Sequence, residues 1–464
     1  MSQALHAPTE LGTRNIGSLL KSYAVPGIIA MTASSLYNMV DSIYIGHIPD
    51  IGSLAISGLA VTFPLMNLST ALGTLVGVGA ATMVSVLLGQ KNYEAANQVL
   101  ANDVSLNTLI GGLFMLVSLL FLDPILCFFG ASPDTLPYAR GYMRVLLYGN
   151  IVTHLYFGLN SLIRSSGNPR LAMRLTLFTV ISNSILDPVF IFGLDMGIRG
   201  AALATVLCQV MALCYTFYYF MDRQRFLHLP KGIFALNWRI ARSSLTIGMG
   251  PFLMNAASCI VALFINQQLG RYGGDLSIGA YGIVNRISFL FLMIVMGLNQ
   301  GMQPIAGYNY GARKYSRVRE VFRLCVRWAT VIMTAGWVVA VFFPRGAVTL
   351  FTNDPVLKDI AAKGLRTMNI LFPIIGYQII STNLFQCLGM VKKSVFLSLS
   401  RQLLFLVPMI YLLPPFLGVK GVWYSFPVSD LVCVLMTLPM MGSLMRKLSR
   451  LNDGDDPGIL GSNL

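Results

Sequence analysis

The chain has 464 residues, of which 33 are Lys or Arg and 18 are Asp or Glu, so only 11% are charged while 55% are apolar and the formal net charge is +15. Soluble domains carry about 25% charge, and a wet surface for a chain of this length cannot be made from so few ionic groups. Disordered, collagen-like and disulfide-scaffold classes are excluded as well, because Gly and Pro follow no period and seven cysteines are too sparse. An all-α integral membrane protein remains.

Apolar stretches long enough to cross a hydrocarbon core of about 30 Å, which takes about 20 helical residues, predict twelve transmembrane helices. They are expected at 19–45, 54–88, 102–122, 138–163, 172–194, 197–221, 243–269, 276–304, 324–344, 360–388, 394–414 and 418–445. Long continuous runs of Leu, Ile, Val and Ala favour helices over a barrel, whose strands would alternate over about 10 residues. Gly-rich breaks such as Gly167-Asn168-Pro169 separate them. The cysteines lie in or beside these spans without a C-x-x-C pair and read as buried small hydrophobes.

In span one, Pro26 precedes Gly27 and deprives the Ser22 carbonyl of its helical donor, which marks a place where the span can bend. Further along, helical spacing puts Tyr37, Asn38 and Asp41 on one face. An ionisable group inside a span costs about 2.5–3.5 kcal/mol, so Asp41 is a candidate site residue. Asp103 lies close enough to the start of span three to be wetted. Span five contains Asn183 one turn before Asp187, and Pro188 cannot donate to the carbonyl of Ser184. Counted from the outer ends at 1.5 Å per residue, Asp41, Asp187 and Thr205 of span six lie about 8, 10 and 12 Å deep and can be level. Two carboxylates close together in a low-dielectric pocket should not both stay ionised. The residues suit either H⁺ or Na⁺ held by Asp41, Asn183, Asp187 and Thr205, with Tyr37, Asn38, Pro26 and Ser184 in support. Arg286 of span eight and Asp430 of span twelve are weaker candidates for a cleft; no other metal or cofactor is implied.

An offset of 221 or 222 residues recurs along the chain. It relates Gly79 to Gly301, Gly89-x-Lys91-x-Tyr93 to Gly311-x-Arg313-x-Tyr315, Gly167 to Gly389, and Gly197-Ile-Arg-Gly200 to Gly418-Val-Lys-Gly421. Each repeat holds six spans, an even number, so the two are parallel, as in transporters that work by alternating access. The resulting division is an N-terminal tail at 1–18, a lobe at 19–221, a linker at 222–242, a second lobe at 243–445 and a tail at 446–464. At the repeated positions Asp41 falls on Leu263 or a neighbour and Asp187 near Met409, so the second half drops both carboxylates and the acidic pair is not a requirement of the fold.

If the spans alternate sides, 23 of the 33 basic residues fall on the side of the N-terminus and nine on the other, with Arg286 inside a span. The positive-inside rule then places both termini in the cytoplasm of a protein of the inner (plasma) membrane. The region of Arg345, Lys358, Lys363 and Arg366 fits this least well. Basic residues scattered over six short loops and tails do not form a nucleic-acid stripe.

These residues resemble the multidrug and toxic compound extrusion (MATE) family, in its DinF-like, MepA-like branch. The resemblance covers Leu19 to Met445 and rests on the two six-span halves, on Asn38, Asp41, Ile45 and Gly46, on Asn183-x-x-x-Asp187-Pro188, and on Gly197-x-x-Gly200 followed by Thr205. It implies a cation site at Asp41, Asp187, Asn183 and Thr205, a first helix that bends at Pro26, and export of amphipathic or cationic drugs coupled to entry of H⁺ or Na⁺. Spans seven and ten lack the carboxylates of the NorM-like branch. A monomer in contact with membrane lipid and a small-molecule substrate is expected, without nucleic acid. A lipid-linked flippase is the alternative, although Arg286 alone would make a poor basic cleft. A membrane enzyme is disfavoured because His6, His47, His154 and His228 are scattered and no H-E-x-x-H or G-x-S-x-G is present.

Overall fold

The computed structural model describes residues 9–46, 48, 52–230, 236–351 and 354–456, with the side chains at 38, 39, 42, 43, 46, 52–54, 56, 57, 60 and 275 outside that description. Within it, the regular structure is helical. Ten helices are long and apolar enough to cross a membrane: Ile16–Tyr37, Val61–Gly89, Tyr93–Leu120, Pro169–Gly193, Ile198–Met221, Trp238–Gly274, Leu276–Gly311, Tyr315–Phe342, Val391–Leu417 and Val419–Arg450. The bent pair Pro355–Met368 and Phe372–Cys387, at 55° to each other, makes an eleventh. The remaining expected span, the fourth, is Leu136–Tyr148 followed by Asn150–Ser165. It breaks at Gly149, one repeat before the break of the bent pair, and Arg140, Arg144 and Arg164 reduce its apolar character.

Span three shows how such a helix is solvated. Leu109, Leu113, Leu116 and Leu120 are all more than half exposed at helical spacing, while Asp103, Asn107 and Gly111 on another face are buried. Lipid, not water, is the solvent for the exposed stripe, so the usual polarity is inverted. Of the cysteines, Cys208, Cys325, Cys387 and Cys433 are buried as expected, whereas Cys127 and Cys214 are exposed. All seven are free.

The repeat is visible in the backbone. Gly197 and Gly418 adopt φ values of 57° and 59° with ψ of −140° and −142°, a conformation open to glycine and costly for other residues. Lys91 and Arg313, at matched positions, both have positive φ, 59° and 55°. Gly200 and Gly421 also match in what they touch: a β-carbon there would meet the Phe190 carbonyl at 2.7 Å and the Leu413 carbonyl at 2.6 Å.

Two compact units are formed, one of 1–13 and 29–252, the other of 14–28 and 253–464. The leading end of span seven therefore packs in the first unit, where the backbones of Gly248 and Leu75, and of Gly79 and Ser244, leave no room for a β-carbon. In the second unit the leading end of span one packs likewise, Gly27 against Gly297 and Gly301 against Ala24. Span one changes unit just past Pro26-Gly27, and span seven just past Pro251. The helix Ile16–Gly46 runs through Pro26 without a break. Placing a side chain at Gly79 or Gly297 should cost about 1–3 kcal/mol by overpacking. Thermal unfolding of the detergent-purified G79V and G297V variants should show this against G282A, whose β-carbon meets open space; equal melting of all three would refute it.

Several of the basic groups expected on the poorer side are paired. Arg140 makes a bidentate pair with Asp123 at 2.7 and 2.6 Å, and Arg345 and Lys363 both reach Asp359, at 3.3 and 2.6 Å. The described part of the expected linker is tied to span three: His228 N–H donates to Asn97 and Asn237 N–H to Asn102, at 2.8 and 3.0 Å. Residues 231–235 of the expected linker, including Lys231, lie outside the described residues. In the C-terminal tail, Asp453 accepts hydrogen bonds from the Ser316 backbone and hydroxyl.

Candidate functional site

Asp41, Asp187, Asn183, Thr205 and Tyr37 come together inside the first unit, from spans one, five and six. The geometry is a short polar chain: the Tyr37 hydroxyl and the Thr205 hydroxyl are 2.9 Å apart, and the Asn183 amide lies 3.4 Å from Thr205 Oγ1 while donating to Asp187 Oδ1 at 3.0 Å. Thr205 also donates to the Ala201 carbonyl one turn back, at 3.1 Å. Asp187 and Asn183 are on one helix face because four residues separate them.

The carboxylates and Asn183 are withdrawn from solvent, while Tyr37 and Thr205 are half-buried. Asp187 is 0% exposed, Asn183 2% and Asp41 6%. Yet Asp41 Oδ1 and Asp187 Oδ2 are buried without a hydrogen-bond partner, and the two carboxylates are close enough to act on each other electrostatically. Orphaned carboxylate oxygens in a low-dielectric pocket are expensive and call for a cation or a proton.

Span four adds a residue that the sequence reading missed. Tyr142 is 2% exposed and acts electrostatically on both Asp41 and Asp187. Its repeat position is Gly364, whose place for a β-carbon is filled by the Trp423 ring at 2.6 Å, so the repeat contrast that singles out the carboxylates also singles out Tyr142. Cys208 lies near Asp187 too.

The supporting residues divide. Ser184 donates its hydroxyl to the Val180 carbonyl at 3.0 Å, and after Pro188 the helix widens into a π-helical turn, Val189–Gly193. A second π-helical stretch, Ser400–Leu406, occurs in the other half about ten residues before the position that the repeat would assign to it. The side chain of Asn38 lies outside the described residues. Pro26 belongs to the second compact unit, not the one that contains the carboxylates.

The two weaker candidates are elsewhere. Arg286 is exposed on span eight. Asp430, 5% exposed, is paired with Arg401 of span eleven, Nε to Oδ1 at 2.7 Å, and Ser429 donates to the Arg401 carbonyl at 2.7 Å. The sequence count puts Arg401 among the basic residues of the N-terminal side; the structure puts it ten residues into the helix that starts at Val391. Asp103 likewise departs from expectation, being 1% exposed instead of wetted.

The MatE family model matches this chain twice, at residues 26–189 and 251–412, once in each half. The chain is 28% identical over 427 residues to the multidrug export protein MepA of Staphylococcus aureus strain N315, covering 92% of this chain and 94% of that one. MepA of Staphylococcus haemolyticus strain JCSC1435 is 26% identical over 435 residues, covering 94% and 95%. Among solved structures, the outward-facing conformation of a multidrug resistance MATE family transporter of the MOP superfamily superposes with a TM-score of 0.89, at 23% identity, over 96% of this chain and 99% of the other. A fold shared over nearly the full length, with the family pattern in both halves, makes this multi-pass membrane protein a member of the MATE family of transporters and not an enzyme.

Proposed function

We propose that this protein is a cation-coupled antiporter that exports amphipathic or cationic drugs by alternating access. It sits in the inner membrane with both termini in the cytoplasm, and H⁺ or Na⁺ enters in exchange. The observation that carries the reading is the pair of buried carboxylates, Asp41 and Asp187, each with an oxygen left without a partner. One cation or proton arriving from outside satisfies these oxygens and removes the repulsion between them; its departure on the other side restores it. Asn183 and Thr205 fix the orientation of Asp187, and Tyr37 links span one to span six through Thr205, so occupancy of the site is transmitted to the first helix. The likeness to MepA proteins supports drugs as the substrate class, and the excess of basic residues on the side of the termini supports the orientation.

Proteoliposomes loaded with a cationic dye test this directly when ΔpH and ΔNa⁺ are imposed separately. Dye movement that follows one gradient identifies the coupling ion. Movement indifferent to both would remove the antiporter reading.

A further inference from the structure

The first unit contains a second buried polar cluster, apart from the Asp41 and Asp187 site. Span three presents Asp103, Asn107 and Gly111 on one face at intervals of four residues. Span four runs against it and offers Gly158, His154 and Asn150 at the same intervals in reverse. Small residues on both helices bring the backbones close: a β-carbon on Gly158 would stand 2.6 Å from Asp103 Oδ2, and one on Gly111 would stand 3.3 Å from His154 Nδ1. The far end of the column is well bonded. Ser69 of span two donates to Asn150 Oδ1 at 2.6 Å and lies 3.1 Å from His154 Nε2, while the Asn150 amide donates to the Gly111 carbonyl at 2.8 Å.

The near end is not. Asp103 is 1% exposed, Asn107 and His154 are 0% exposed, and both oxygens of Asp103, both amide atoms of Asn107 and Nδ1 of His154 have no hydrogen-bond partner. Among the described residues, no ion pair compensates Asp103. Span two has no charged residue, span three has only Glu94 besides, next to Tyr93 at its start, and span four has Arg164 six residues past Gly158, with Arg140 and Arg144 before Asn150. The leading end of span seven, which packs on Val76 and Leu106, brings Arg239 and Arg242. The Asn107 amide lies beside the Asp103 carboxylate, the two flanking the place of a β-carbon on Gly158, without the geometry of a hydrogen bond, and Ser69 faces His154 at 3.1 Å. An ionised carboxylate in this setting would be uncompensated, and such a group is neutralised instead. Asp103 and Asn107 together offer three unpartnered oxygens, too few to replace the water shell of Na⁺, whereas one proton satisfies the carboxyl.

The second half again supplies the contrast. At an offset of 222 residues, Asp103 becomes Cys325, Asn107 becomes Ala329, and the bonded pair Ser69 and Asn150 becomes Phe291 and Phe372, whose rings meet edge to face at 6.4 Å. His154 becomes Gly376, where a β-carbon would stand 3.1 Å from the Ala329 backbone. An apolar filling therefore suffices for this fold, and the polar one is confined to the half that holds the acidic pair.

We propose that Asp103 is a second proton-carrying carboxylate. It is protonated in the resting protein, and during transport its O–H proton passes to water at the end of the bundle where the linker is tied to Asn97 and Asn102, to be replaced by a proton from the His154 side of the column. This rests on the antiport reading and extends it, giving protons that leave the Asp41 and Asp187 site a way out. Tyr142, which acts on both of those carboxylates, lies eight residues before Asn150 on span four.

Infrared difference spectra of the purified full chain between acidic and alkaline pH test the assignment. A protonated-carboxyl band should persist in the D41N/D187N double variant and vanish when D103N is added. Its absence from the double variant, its survival in the triple variant, or its response to Na⁺ at constant pH would overturn the proposal. D103C, which carries the residue found at the repeated position, serves the same comparison should D103N fail to fold. In proteoliposomes, D103N should lose proton-driven transport while keeping wild-type equilibrium binding of the dye; wild-type transport would overturn the exit role. If the wild type follows ΔNa⁺ and ignores ΔpH, the exit role is overturned; if it ignores both, the antiport reading itself fails, and the infrared band still decides whether Asp103 carries a proton.

Discussion

The D187N and D41N variants should fold normally and lose gradient-driven transport down to the passive leak. The substitution is isosteric, and the remaining side-chain oxygen at position 187 can still accept from Asn183, whose amide now donates at 3.0 Å. What disappears is the charge. In the present pocket one oxygen of each carboxylate is buried and unpartnered, and an amide in its place removes the repulsion permanently, as a bound proton or cation would only transiently. Stability should therefore be unchanged or slightly higher, because an uncompensated buried charge has been deleted. The contrast is N183L, which keeps the charge and removes its partner. That variant should lose about 1–3 kcal/mol, the cost of stranding a buried acceptor, visible as a lower melting temperature in detergent. Gradient-driven efflux in proteoliposomes and thermal unfolding measured on the same preparations separate the two effects. Wild-type efflux by the D41N/D187N double variant would end the site assignment.

That site was legible because carboxylates inside apolar stretches are rare, and because the second half of the chain keeps the glycine frame while replacing Asp41 and Asp187 with apolar residues. Tyr142 escaped for the opposite reason. A tyrosine in a membrane helix is unremarkable by composition, and its role emerges only when span four is placed beside spans one and five. Asp103 was misjudged because apolar windows lose their ends wherever charged or amide residues occur, so span three was expected from 102. The helix begins at Tyr93, which carries Asp103 about 15 Å along it at 1.5 Å per residue. A charge that looks terminal in the sequence is then deep in the bundle, and the structure supplies what the window could not: a helix start fixed by its cap, here the Asn92 side chain accepting from Ala95 N–H.

The exchange of leading ends between the units was equally invisible. A six-span repeat suggests a cut between spans six and seven, because sequence similarity reports the unit of duplication. Packing follows small residues instead. Gly248 against Leu75 and Gly27 against Gly297 are matched contacts one repeat apart, and both draw the first part of a span onto the second helix of the other half. No periodicity along a single chain encodes which helix a glycine face will meet.

Arg401 and Asp430 yield the second large effect. The pair lies within the second unit, Asp430 is 5% exposed, and the Arg401 side chain is 26% exposed. Replacing one partner leaves the other charge uncompensated in a low-dielectric setting, which costs roughly 3–5 kcal/mol, with the partial exposure of Arg401 favouring the lower end for D430L. R401M should be the more damaging single change, because it strands the more deeply buried member. The double variant R401M/D430L removes both charges, and since hydrophobic replacement of a buried pair is often neutral, it should recover to within about 1 kcal/mol of wild type, save for the hydrogen bond from Ser429, which ends on the Arg401 backbone carbonyl and survives. Unfolding free energies of the three variants form a double-mutant cycle that isolates the pairwise coupling. A double variant as unstable as R401M would show that the pair is not the stabilising element. Transport separates structure from chemistry in the same samples: a stable double variant that exports at the wild-type rate assigns Arg401 and Asp430 to the architecture of the second unit, whereas a stable one that cannot export makes them part of the transport cycle, alongside the carboxylates of the first.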